Sequence, residues 1–255
     1  MPKLIKPIEN ELHLLKEDIF EMWSVVISQL EKSKEAILEY NPDLGREVMK
    51  REKMIDALEL HIDRDCETFM LLFQPVAVDL RMVLAILKIN TELERIGDFA
   101  ESIGQFAAKY QNGRLNEKLV QDLHLPEMFE AVITMLRTTE QALRVEDSVS
   151  ATNIFIQDDM VDHFNKKAIS ILANYMRQYP EEAETCLRLQ SIIRRIERIG
   201  DHCNNIAEDI VFFLDAKYLK HSKEKKEIKK ALREQQTGNT ETEEDEKEDE
   251  KNSAE

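Results

Sequence analysis

The chain is short of everything that interrupts a helix. Glycine and proline number 6 each in 255 residues, and aromatic residues make up 6%. Such a sequence cannot supply the frequent tight turns of an all-β protein, and no alternating β-branched run reads as a strand. Cysteine is scarce as well. Cys66, Cys186 and Cys203 are odd in number, unevenly spaced and without a C-x-x-C pair. That argues against a disulfide framework or a thiolate zinc site, and for a reducing compartment. No run approaches the roughly 18 apolar residues that would cross a bilayer. Residues 1–16 alternate charged and apolar residues without a signal-peptide core, so a soluble, cytoplasmic protein is expected. Gly-rich phosphate loops, dinucleotide fingerprints and nucleophile motifs are missing too. Basic charge is in deficit, 35 Lys and Arg against 51 Asp and Glu, for a net −16. Nucleic acid is therefore not the expected partner, because phosphate neutralisation needs a basic surface. Residues 241–255, with nine acids and two lysines, account for −7 of this, which leaves the body acidic at −9.

What is present is charge, 34% of residues, and apolar positions at three-four spacing. The pattern predicts six long helices: about 8–39, 42–74, 76–111, 126–146, 149–178 and 181 to beyond 214. Asn41-Pro42-Asp43 supplies a cap followed by proline at the first helical position. Pro75, Asn112-Gly113, Pro126 and Tyr179-Pro180 punctuate the rest. Helices this long with short connections pack as antiparallel neighbours. The expected fold is all-α, two three-helix bundles in tandem: residues 1–112, then 113–220, with a hinge near 113–126. Residues 221–255 continue as a basic stretch and an acidic tail expected to be disordered.

One pentapeptide occurs twice, as Glu94-Arg95-Ile96-Gly97-Asp98 and Glu197-Arg198-Ile199-Gly200-Asp201. It lies in the third helix of each set, which marks an internal duplication. At about 100° per residue, Glu94, Asp98 and Glu101 share one face, with Leu93, Ile96, Ala100 and Ile103 beside them. The second copy repeats this with Glu197, Asp201 and Glu208 next to Ile196, Ile199, Cys203 and Ile206. Like charges at i, i+4 repel by a few tenths of a kcal/mol. A mid-helix glycine costs about 1 kcal/mol relative to alanine. A sequence that accepts both twice, at the border of its core, gains something there, and a bound cation is the plainest candidate. Glu52 and Asp56 on the second helix match Asp158 and Asp162 on the fifth. Antiparallel packing could bring each pair level with its pentapeptide.

Leu93-Glu-Arg-Ile-Gly-Asp98 and Ile196-Glu-Arg-Ile-Gly-Asp201-His202, with Asn205-Ile206-Ala207-Glu208 and Gln74-Pro75-Val76-Ala77, resemble the PhoU family of phosphate-uptake and phosphate-signalling regulators. The resemblance covers about residues 8–218. It implies a pair of three-helix bundles carrying multinuclear metal clusters, of iron, zinc or nickel, on acid-x-x-x-Asp motifs. Carried over by motif, the ligands are Glu52, Asp56, Glu94 and Asp98 in one half, and Asp158, Asp162, Glu197 and Asp201 in the other. It also implies a non-enzymatic negative regulator, a homodimer, that contacts the ATPase of the phosphate ABC transporter and a sensor histidine kinase. The first copy departs from the family at Phe99, where His is common, and at Glu101-Ser102.

Blander readings stand beside these. Acids are one residue in five, so chance alone gives roughly ten acid pairs at i, i+4. Only repetition, the paired glycines and symmetric placement single out the eight. All-oxygen ligation favours Mg, Ca or Mn, so iron or zinc rests on the resemblance alone. Glu59, Asp63, His61, His163 and His202 read as surface or satisfied groups, and Arg95 and Arg198 as partners of neighbouring acids. Residues 217–233 hold eight basic residues against two Glu. That reads as a solvated stretch, or as a contact to anionic lipid at the membrane periphery. Two alternative functions remain, a carboxylate-bridged di-metal oxidase and a metal-free helical scaffold. The oxidase lacks the Glu-x-x-His motif such sites use.

Overall fold

The computed structural model describes residues 2–110, 113–220 and 222–234. Among the described residues the chain is all-α. Three long helices come first, α1 (Pro2–Leu38), α2 (Pro42–Phe73) and α3 (Ala77–Lys109). A short α4 (Glu117–Asp122) follows, then α5 (Leu125–Arg144), α6 (Ser148–Thr152), α7 (Ile154–Gln178) and α8 (Ala183–Asp215). Residues 223–234 are helical as well. The acidic stretch 241–255 lies outside the described residues.

Local chemistry sets the boundaries. Asn41 accepts the Leu44 N–H at 3.1 Å, with Pro42 in the first turn of α2. Gln74 turns left-handed (φ 48°) to end that helix before Pro75. Two stretches differ from the six-helix expectation. The 113–126 connection contains α4, capped by Asn116 through the Leu119 N–H at 3.0 Å and anchored by buried Leu115, Leu119 and Leu123. The fifth helix is broken at Asn153. Asp147 caps α6 through the amides of Val149 and Ser150 before α7 begins.

The apolar stripes read from the sequence are buried: Leu93, Ile96, Ala100 and Ile103 on α3, and Ile196, Ile199, Cys203 and Ile206 on α8, all fully so. The core does not stop between the repeats. A single cluster of buried residues runs from Leu15 to Leu219 through every long helix. α1 lies against α5, where the fully buried Trp23 indole N–H donates to the Leu136 carbonyl at 3.1 Å. α3 lies against α8. There Phe99 and His202, which occupy the same place in the two pentapeptide copies, meet with ring centroids 5.6 Å apart. Arg81 Nε donates to the Phe213 carbonyl at 3.0 Å and satisfies the end of α8.

Trp23→Phe keeps most of the buried area but removes the hydrogen bond and leaves a void. A loss of about 1–2 kcal/mol is expected, measured by urea denaturation as a lower midpoint at unchanged slope.

Candidate metal centre

α2 and α3 set the first acidic quartet along one shared face, although no three of its carboxylates, nor of the second quartet's, have ligand atoms within 4.8 Å of one another. Glu52 is buried beside Gly97, and Asp56 and Asp98 are exposed at the rim with Glu94 between the two extremes. The glycine has a definite role. A methyl group built there would lie 2.8 Å from Ile55 Cδ1 and 3.7 Å from Glu52 Oε1. The missing side chain is therefore what admits α2 and its carboxylate. α7 and α8 repeat the arrangement, and a methyl group on Gly200 would lie 2.9 Å from Asp158 Oδ1. The same small residue, twice, opens space at the helix crossing, for Ile55 in the first row and for the Asp158 carboxylate in the second.

The electrostatics follow from that placement. Burial, reinforced by Asp98, Asp56, Glu101 and Glu94, pushes the Glu52 carboxyl up to about 8. Glu94 is pushed up to about 7 by burial together with Asp98, Glu59 and Asp56. In the second quartet burial raises Asp158 to about 6 against the pull of the Asn204 amide, which donates to Oδ2 at 2.7 Å. Burial also raises Glu197, with Asp201, Asp162 and Asp158 contributing. Glu52, Glu94, Asp158 and Glu197 are thus held at cost, first by burial and then by neighbouring acids.

Three carboxylate oxygens decide whether a cation suits these rows. Glu52 Oε1 and Oε2 and Asp158 Oδ1 are shielded from solvent and have no hydrogen-bond partner among the described residues. A buried, unpaired carboxylate oxygen is among the least favourable groups in a fold. Oxygen donors of this kind fit a hard multivalent cation. Among the differences in the second row, Asn204 stands where the first has Glu101, so one acid is replaced by a donor.

The structure also places groups the sequence left aside. Asp18, His61 and Asp65 have ligand atoms within 4.8 Å of one another, and His61 is exposed, 3.6 Å from Asp65. The His61-x-x-x-Asp65 spacing was a visible signal; the approach of Asp18 from α1 was not. Asp63 receives the Asn90 amide at 3.0 Å. Arg95 pairs with Glu92, and Arg198 with Asp201 at 3.4 Å. His202 faces away from the row. Its Nδ1 bonds Glu92 on α3, which also takes the Asn205 amide at 3.1 Å. Burial opposes ionisation of Glu92, but these two hydrogen bonds outweigh it and hold the carboxyl below the usual range. Its contribution is therefore present above about pH 4.5 and lost as the pH falls through the lower folded value. Glu92→Gln is expected to cost about 1–2 kcal/mol at pH 7 and to flatten the acid limb of a pH–stability curve.

The chain as a whole is similar to known proteins. The PhoU domain family matches residues 19–107 and 125–210. The chain is 32% identical over 219 residues to the phosphate-specific transport system accessory protein PhoU homolog of Zymomonas mobilis, covering 84% of this chain and 90% of that one. It is 29% identical over 212 residues to PhoU homolog 1 of Thermotoga maritima, covering 83% and 90%. Among solved structures, PhoU from Pseudomonas aeruginosa superposes with a TM-score of 0.74 at 26% identity, over 82% of this chain and 99% of that one. PhoU from Streptococcus pneumoniae, at 20% identity and a TM-score of 0.73, shares the fold.

Proposed function

The chain belongs to the PhoU family, and from that premise we propose that it is a metal-binding negative regulator of phosphate uptake and phosphate-starvation signalling. Its place as an accessory protein of phosphate transport follows from the family. The finer reading is carried by one observation, the solvent-shielded and unpartnered carboxylate oxygens of Glu52 and Asp158 beside the two pentapeptides. In this reading Glu52, Asp56, Glu94 and Asp98 hold one multivalent ion or cluster, and Asp158, Asp162, Glu197 and Asp201 the other. Iron or zinc is the family's precedent. The bound metal neutralises each row and fixes α2 to α3 and α7 to α8.

The protein acts by docking, in the cytoplasm and as a homodimer, on the ATPase of the phosphate ABC transporter and on its sensor histidine kinase. No turnover is involved. A clean deletion is expected to derepress phosphate uptake and the starvation response under phosphate-replete conditions. Unchanged uptake and unchanged reporter output would refute the regulatory role. Elemental analysis of protein purified without chelator tests the metal separately. Near-stoichiometric metal that disappears in a Glu52→Gln/Asp158→Asn variant is the expected result.

A further inference from the structure

α8 ends at Asp215, where Ala216 turns left-handed (φ 56°) and sends the chain back on itself. Residues 223–234 then lie along the second acidic row. Lys225 N–H and the Ser222 hydroxyl close the first turn at 3.0 Å. Lys225 Nζ sits 2.6 Å from Glu208 Oε1 and 4.5 Å from the centre of the Phe155 ring. Lys229 Nζ lies 2.6 Å from Asp159 Oδ1, and Arg233 reaches Asp159 Oδ2 with Nε at 3.0 Å and Nη2 at 2.6 Å. Ile228 packs onto the core. This is a docked element, not the solvated stretch its charge suggests.

Both anchors are specific to the second half. In the register that matches Glu52 to Asp158, Asp159 corresponds to Lys53. In the register that matches Glu94 to Glu197, Glu208 corresponds to Gln105. The acids that receive the basic segment are therefore missing from the first repeat, which has no such segment over it. Asp159 and Phe155 flank Asp158 on α7, so these contacts set the ammonium groups beside the row. Lys229 pulls on Asp158, and Lys225 on Asp201, against the effect of burial; in the first row Arg95 does the same for Glu94.

We propose that residues 223–234 are a built-in counterion strap over the second acidic row, competing with multivalent cations there and leaving the first row as the tighter metal site. Lys225, Lys229 and Arg233 supply part of the positive charge that an ion would otherwise bring, so metal enters the second row only as the strap lifts. The first row, with no such competitor, fills at lower metal concentration. This inference rests on the metal-binding reading above.

The test is a Mn²⁺ titration of full-length protein, followed by calorimetry and by the EPR signal of free Mn²⁺, with hydrogen exchange of residues 223–234 in parallel. Wild type should show two classes of site, and Glu52→Gln should remove the tighter. K225Q/K229Q/R233Q should tighten the weaker class by about tenfold, within the scale of the three partly exposed ion pairs it removes, and leave the tighter class alone. A chain ending at residue 221 should do the same. In wild type, filling the weaker class should release protection of residues 223–234. Mn²⁺ bound at both rows with unchanged affinity in both variants would overturn the strap while keeping the metal centres. So would protection that persists at saturation. No Mn²⁺ at either row, in any variant, would overturn the metal reading and the strap with it.

Discussion

Gly45→Ala is expected to lower stability by about 1–2 kcal/mol, although alanine is the better helix former. A methyl group at position 45 would lie 2.6 Å from the Gly104 carbonyl oxygen and 2.9 Å from the Ala108 amide. Both neighbours are backbone, so the only relief is to push α2 off α3. Gly104 sits on the other side of the same crossing, against Val48. Overpacking of this kind costs about 1–3 kcal/mol or more, and it outweighs the roughly 1 kcal/mol gained in helix propensity. The quartet lies farther along the same two helices, so a splayed crossing should also weaken metal binding. Gly97→Ala is the control. Its nearest neighbour is the end of the Ile55 side chain, which can turn away, so its effect on stability should be under about 1 kcal/mol. Thermal melts of the two variants, with and without added metal, separate backbone contact from side-chain contact. Equal destabilisation would show that the crossing is not the tight point.

Glu52→Gln should have the opposite sign. In chelator-treated protein it is expected to stabilise the fold at pH 8. The Glu52 carboxyl is pushed up to about 8 in the folded chain. Between its unfolded value near 4.5 and that folded value, the native state binds more protons than the unfolded state. Stability must therefore fall as pH rises through this interval. The full shift corresponds to several kcal/mol, and solvent at the open side of the row screens it, leaving about 2 kcal/mol. Wild type without metal should thus lose stability from pH 5 to 9, and Glu52→Gln should lose less, keeping only the fall due to other raised carboxyls such as Glu94 and Asp158. Added metal should reverse the order, because the ion pairs with the carboxylate that the variant lacks. Denaturant midpoints across that pH range, with and without metal, give both signs from one set of samples. A wild-type curve that rises with pH in chelator would contradict the burial of that charge.

Much of this could be read from the residues. The Asn41-Pro42 cap, the stop at Gln74-Pro75 and the buried stripe from Leu93 to Ile103 follow from local propensity and period, which need no partner. The role of Gly97 and Gly200 was visible as a conflict: a poor helix former in the middle of a strong helix. Its resolution, a facing Ile55 or Asp158, needed the packing. The short α4 had a legible signature in Leu115, Leu119 and Leu123 at four-residue spacing under an Asn cap, hidden by the polar residues around it. The break at Asn153 had none, since Ile154, Phe155 and Ile156 continue the apolar pattern across it. The docked basic segment was illegible for a different reason. Its partners Asp159 and Glu208 lie 74 and 17 positions away from Arg233 and Lys225, and a charge run shows nothing of the acids it will meet.

The meeting of Phe99 with His202 across α3 and α8 bears on how such a chain arose. Equivalent positions can face each other only about an axis of approximate twofold symmetry, the arrangement of an isologous dimer. A chain of one repeat would carry the same α3 face, apolar at its centre and bare of a second half. It would be expected to self-associate through that face. Fusing two copies makes the partner permanent and independent of concentration, and only then can the two acidic rows differ, with Glu101 in one and Asn204 in the other, and a basic segment over the second alone among the described residues.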